Sequence, residues 1–145
     1  MRLLTIGSSV FVGRARAREL GHPESAAFLQ WVRARRPRLF IPTPAIPEVA
    51  AALSRTGSDR EVAQRYALAI GHLPNTVLVA LDDAVAQQAA VLAAQHRLRG
   101  AAAVFVAAAA MFAAELVTLD SEQLERGAAV VQTRTPQTFL TIATL

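Results

Sequence analysis

The sequence predicts an α/β fold, a three-layer α/β/α sandwich around a mostly parallel central sheet of about five strands. Three observations carry this expectation. Apolar runs of about four residues alternate with helical segments on short connections, the pattern of strands joined by crossover helices. The length, 145 residues, suits one domain able to bury a real core. At 53% hydrophobic and 18% charged the chain is too apolar to stay disordered. One domain is expected over residues 1–145, with a core at about 2–134 and a tail at 135–145.

Each element follows from local chemistry. Leu3-Leu4-Thr5-Ile6 reads as a buried strand entering a turn at Gly7-Ser8-Ser9. Ser8 or Ser9 is the expected cap of a helix running through Arg18. Pro23 and Glu24 open a second helix, with Ala27, Phe28, Trp31 and Val32 at helical spacing and arginines between them. Leu39-Phe40-Ile41 is a second strand. Thr43 is the expected cap of a third helix, with Pro44 in its first turn and Ile46, Val49, Ala50 and Leu53 on its apolar face. Gly57 ends that helix, and Ser58-Asp59-Arg60-Glu61 fits a capping box for a fourth.

Pro74-Asn75 breaks the fourth helix before a third strand, Thr76-Val77-Leu78-Val79. Asp82-Asp83 caps a helix through Arg97, and Ala101–Ala114 forms an apolar one. Leu116–Leu119 is a fourth strand ending at Asp120, Ser121–Arg126 a helical turn, and Ala129–Gln132 a fifth strand. Sites in such sheets form beyond the carboxyl ends of the strands, which here carry Gly7-Ser8-Ser9 and Asp120.

Composition removes several classes of function. The absence of cysteine excludes disulfides, thiolate catalysis and cysteine zinc sites. His22, His72 and His96 have no zinc-site spacing. No dinucleotide fingerprint, phosphate loop or nucleophile elbow is present, so no small-molecule cofactor is expected. The longest apolar run, 14 residues from Ala101 to Ala114, is short of the ~20 that span a bilayer. Met1–Val12 has no cleavage site after an apolar run, so no secretory signal and no membrane partner are expected, and the setting reads as cytoplasmic.

Charge is uneven. All 15 basic residues are arginine, and the net charge is +4. Residues 1–38 hold eight arginines against Glu19 and Glu24, +6; the other seven arginines face nine acids, −2. Arg14, Arg16, Arg18, Arg33, Arg35 and Arg36 in this front end form a candidate footprint for RNA phosphate or an acidic partner, the alternative being a solvated helix face.

Four segments together resemble the PIN-domain family. Thr5-Ile6-Gly7-Ser8-Ser9-Val10-Phe11-Val12 is similar to its opening motif, apolar-Asp-Ser/Thr-Ser-Val-apolar-Val. Pro47-Glu48-Val49-Ala50-Ala51-Ala52-Leu53 is similar to the second acidic motif. Leu98-Arg99-Gly100-Ala101-Ala102-Ala103-Val104-Phe105-Val106-Ala107 resembles the third, Arg-Gly-Ala-Asp-Ala-apolar, and Leu116-Val117-Thr118-Leu119-Asp120 the fourth, apolar-apolar-Thr-x-Asp. The order and spacing match over residues 2–134, and the length points to the VapC-like toxins of toxin–antitoxin pairs.

The resemblance implies an endoribonuclease in which four carboxylates gather Mg²⁺ or Mn²⁺, and the metal lowers the pKa of a bound water for attack on a phosphodiester. Such ions need hard oxygen ligands. Glu48 and Asp120 stand at two of the four positions; Gly7 and Ala102 stand at the others and carry no side-chain oxygen. Glu122 is the one nearby acid able to substitute, against a role at a helix N-terminus. Ser8, Ser9 and Thr118 offer neutral oxygens, and Thr118 is the residue that orients the site in the family. Each lost anionic ligand removes Coulomb attraction to a divalent ion, so catalysis is expected to be impaired or lost. The alternatives are a non-catalytic module that binds RNA or protein, or an engineered inactive form of an active ribonuclease. The resemblance further implies a homodimer and an antitoxin protein as partners.

Overall fold

The computed structural model describes residues 1–18 and 21–144. Its strands are β1 (Leu3–Ile6), β2 (Arg38–Pro42), β3 (Thr76–Val79), β4 (Glu115–Val117) and β5 (Thr133–Arg134). Its helices are α1 (Ser8–Ala15), α2 (His22–Arg35), α3 (Ala45–Arg55), α4 (Arg60–Ala69), α5 (Asp83–His96), α6 (Gly100–Met111), α7 (Ser121–Arg126) and α8 (Pro136–Ala143).

The five strands form one sheet in the order β3-β2-β1-β4-β5, and every pair is parallel. Leu4 sits opposite Leu39, Thr5 opposite Leu116, and Leu116 opposite Thr133. The chain leaves β1 toward β2 and β3 on one side, then returns to lay β4 and β5 on the other. Right-handed crossovers then put α1 to α4 on one face and α5 to α7 on the opposite face. The packing agrees: α1 meets α2 and α3, while α6 meets α5 and α7. The order reverses between β1 and β4, and in doubly wound sheets the crevice opens at that reversal.

Burial follows the apolar pattern. Leu4, Ile6, Leu39, Ile41, Leu116 and Val117 are fully buried in the sheet. In α6, every residue from Ala102 to Ala109 is buried. A helix that is apolar all round needs cover on every side. The sheet gives it on one side, through β1, β2 and β4, and α5 on the other.

Several boundaries differ from the sequence expectation. Helix α1 stops at Ala15 rather than Arg18, and its N-cap is Gly7, with no side-chain cap from Ser8 or Ser9. Both serines are spent elsewhere, as shown below. Helix α3 is capped by Pro44 without Thr43's side chain. In α4 the cap is Asp59, which accepts from the Val62 amide, one residue past the expected Ser58. Helix α6 spans Gly100–Met111 rather than 101–114, and β4 ends at Val117.

The expected strand at Ala129–Gln132 is instead a connection. Gly127, buried against Val106, starts a tight turn in which its carbonyl accepts from Val130 and Val131. Pairing with β4 begins only when Leu116 donates to Gln132 and Thr118 to Arg134. The expected tail holds helix α8. Thr135 caps it by accepting from the Thr138 amide, and Pro136 occupies its first turn. Phe139 is fully buried, edge-on to Phe28 at 5.2 Å and to Trp31 at 4.9 Å. Trp31 is thus part of the intrachain packing.

Candidate functional site

Three segments converge at the carboxyl ends of β1 and β4. Helix α1 starts directly after β1 and carries Ser8 and Ser9. Thr118, Leu119 and Asp120 follow β4 and lead into α7. Helix α3 supplies Glu48 from its first turn. Ser8, Ser9, Glu48 and Asp120, with Arg99, Ala101, Ala102, Phe105 and Gln123, line a cavity of about 280 Å³. A larger and mostly apolar groove, about 950 Å³, shares Ser8, Ser9, Glu48 and Ala101 with it and extends past Pro47, Arg55 and Leu81.

The two acids sit in different surroundings. Glu48 accepts a hydrogen bond from Ser8 Oγ at 3.0 Å. Burial pushes its pKa above the ordinary value, and the Ser8 bond opposes that in part. Asp120 has both oxygens engaged. Its Oδ1 accepts from the Gln123 amide at 2.9 Å and so caps α7. Its Oδ2 accepts from the Arg99 guanidinium at 3.2 Å.

Glu122 faces the start of α6, not the cavity. It accepts from the Arg99 backbone amide at 2.7 Å and from Arg99 Nε at 2.6 Å. The Arg99 amide and guanidinium, with Arg126 nearby, hold its pKa below the ordinary value. It thus stands at the start of α6, whose N-cap is Arg99, as well as in the first turn of α7.

Behind the acids lies a neutral network. Thr118 Oγ1 donates to Gln123 Oε1 at 2.6 Å, which spends its one proton. It must then accept from Ser9 Oγ at 3.2 Å, as it does from the Asp120 amide at 3.1 Å. Ser9 Oγ accepts in turn from the Leu119 amide, and Gln123 Nε2 donates to the Ala102 carbonyl. The network ties α1, α6 and α7 to the end of β4. It also fills the space beside Gly7. A Cβ there would lie 2.7 Å from Thr118 Oγ1, 3.0 Å from Thr118 Cβ and 3.2 Å from Gln123 Oε1. Gly7 has φ −68 and ψ 150, a conformation open to any residue. Packing, not backbone geometry, calls for glycine at this position.

A sequence model of the PIN domain matches residues 8–129. The chain belongs to the PIN domain family. Solved structures with the same fold include VapC20 of Mycobacterium tuberculosis, a sarcin–ricin loop cleaving toxin. It has a TM-score of 0.70 at 16% identity and covers 87% of this chain and 94% of its own. A toxin–antitoxin complex from Klebsiella pneumoniae gives 0.66 at 16% identity over 92% and 97%. FitAcB from Neisseria gonorrhoeae gives 0.67 at 14% identity over 92% and 98%. No curated protein matches the chain.

The PIN fold brings Ser8, Glu48, Ala102 and Asp120 to one cavity, with Thr118 buried behind them and Gly7 against Thr118. The donor set does not fit the divalent ion the family implies. Among the described residues no group of three histidine, cysteine, aspartate or glutamate side chains comes together. Asp120 already serves an amide and a guanidinium, Glu122 serves α6, and neutral side chains occupy the volume next to Gly7. The six candidate arginines of the front end line neither cavity at the acids. Arg14 and Arg33 flank another cavity beside Tyr66, whose hydroxyl donates to the Phe11 carbonyl at 2.6 Å. Burial pushes the Tyr66 pKa up to about 12, against the pull of both arginines.

Two polar residues of the cavity, Arg99 and Gln123, are not among the candidate site residues of the sequence. Arg99 stands in the third motif and brings a charge to the site; its position immediately before Gly100 at a helix start is the signal for it. Gln123 carries no signal, since a polar residue in a helix as polar as Ser121–Arg126 reads as solvent-facing.

Proposed function

We propose that this PIN domain is a toxin-type member of a toxin–antitoxin pair in which metal-dependent RNA hydrolysis is impaired, and that it acts by binding. One observation carries the reading. The cavity at the sheet edge holds two carboxylates, one of them paired with Arg99, while packed neutral side chains stand where a further acid at position 7 would go. Two carboxylates, one of them hydrogen-bonded to Arg99, attract a divalent ion far less than four. The solved toxin–antitoxin complex of the same fold from Klebsiella pneumoniae supports an antitoxin protein as partner. In this reading a homodimer, RNA as ligand and a cytoplasmic setting rest on the family relationship.

The test is cleavage of a structured RNA mixture in Mg²⁺ and in Mn²⁺, with Asp120→Ala as control. No cleavage above the control is expected. Cleavage by the wild-type chain that disappears in Asp120→Ala would overturn the proposal. RNA binding is tested separately through its salt dependence. An affinity that falls as salt rises, and less steeply in Arg14→Ala/Arg33→Ala, is expected if these arginines meet phosphate.

A further inference from the structure

We infer that Gln123 closes this cleft to a divalent cation, because its amide and the Thr118 hydroxyl it holds take the volume an aspartate side chain at position 7 would need. The inference rests on the reading of the cleft as non-hydrolytic and extends it: missing carboxylates are one part of the change, and a filled space is the other.

The geometry is specific. Position 7 has an unstrained backbone, so only its neighbours limit what it carries. Those neighbours are side chains, Thr118 at 2.7 and 3.0 Å and Gln123 at 3.2 Å from a Cβ. Thr118 is fully buried and Gln123 nearly so. Thr118 is not free to turn away, because its hydroxyl serves Gln123, Ser9 and the Asp120 amide together. Of these partners, Gln123 supplies one of the three atoms nearest a Cβ at position 7. Removing its amide both empties space and frees the proton that orients Thr118. Ala102, by contrast, already lines the cavity, so an acid there needs no vacated volume. Gln123 is a positioning residue in this scheme and touches no reacting atom.

The experiment compares Gly7→Asp/Ala102→Asp with the same pair carrying Gln123→Ala. Mn²⁺ binding is read by titration calorimetry. The triple variant is expected to bind at least about tenfold more tightly, within the coupling that residues in contact show. Equal affinities would overturn the inference. A double variant that fails to fold while the triple folds supports it, since the clash is then relieved by removing Gln123.

Should neither fold, an alanine cycle decides. Gly7→Ala alone is expected to lower Tm by roughly 5 °C, the cost of overpacking a filled site. In a Gln123→Ala background it should lower Tm by less than half as much; additive losses would overturn the inference. The wild-type chain, titrated alongside, separates the two readings. Mn²⁺ binding that Asp120→Ala abolishes would count against the non-hydrolytic reading and leave the comparison with and without Gln123 standing.

Discussion

Replacing Phe139 with alanine tests whether the last ten residues belong to the core. Phe139 is fully buried on α8 and sits edge-on to Phe28 and Trp31, with interplanar angles of 83° and 78°. The Arg2 guanidinium lies over the same ring, 4.7 Å from its centroid. Truncating a buried phenylalanine costs about 3–5 kcal/mol through lost transfer energy and the cavity left behind. Each edge-to-face pair contributes about 0.5–1.5 kcal/mol beyond burial, which places this site in the upper part of that range. For a domain of this size the loss corresponds to a fall in Tm of about 10–15 °C. Urea unfolding followed by far-ultraviolet circular dichroism measures it, with Ile142→Ala, on the exposed side of α8, as control. A loss below about 1 kcal/mol at Phe139 would refute the argument, since no fully buried ring held between two others should be that cheap to remove. A chain cut after Arg134 that unfolds at the same urea concentration as the full one would refute it as well.

Two further outcomes follow from the site and its scaffold. Burial raises the pKa of Glu48 from its ordinary 4.5, so the folded chain holds this proton to higher pH than the unfolded one. Stability contributed at this position is therefore present below the unfolded value and falls as pH rises through the folded one. Glu48→Gln is expected to be more stable than wild type at pH 7 and no more stable at pH 3.5; a gain that persists unchanged at the lower pH would contradict the assignment. Gly57 has φ +101 with open space around it, so Gly57→Ala should cost about 1–2 kcal/mol by backbone strain alone. Gly100→Ala, equally open and without positive φ, is the matched control in thermal unfolding and should cost nothing. Equal effects at the two glycines would remove the strain explanation.

The strands were legible where an apolar run met a strong turn residue. Leu3–Ile6 before Gly7 and Thr76–Val79 after Pro74-Asn75 have the expected bounds, because the local signal and the sheet agree there. Val130-Val131 misled because an apolar pair packs as well from a turn as from a strand, and the ladder with β4 set the register two residues further on. Helix α8 did carry a signal. Thr135-Pro136 pairs a cap residue with a first-turn proline, and Phe139, Leu140 and Ala143 follow at helical spacing.

The sequence by itself determined the alternation of strands and helices, the parallel sheet it implies and the place of the acids at strand and helix ends. These depend on local periodicity and on the handedness of crossovers, which one chain carries within short windows. Only the tertiary structure decided what surrounds those acids. The pairing of Arg99 with Asp120 and Glu122, and the packing of Gln123 and Thr118 against Gly7, join residues up to 116 positions apart. Such contacts depend on which side chains the folded sheet edge brings within a few ångströms, and no spacing in the sequence encodes that.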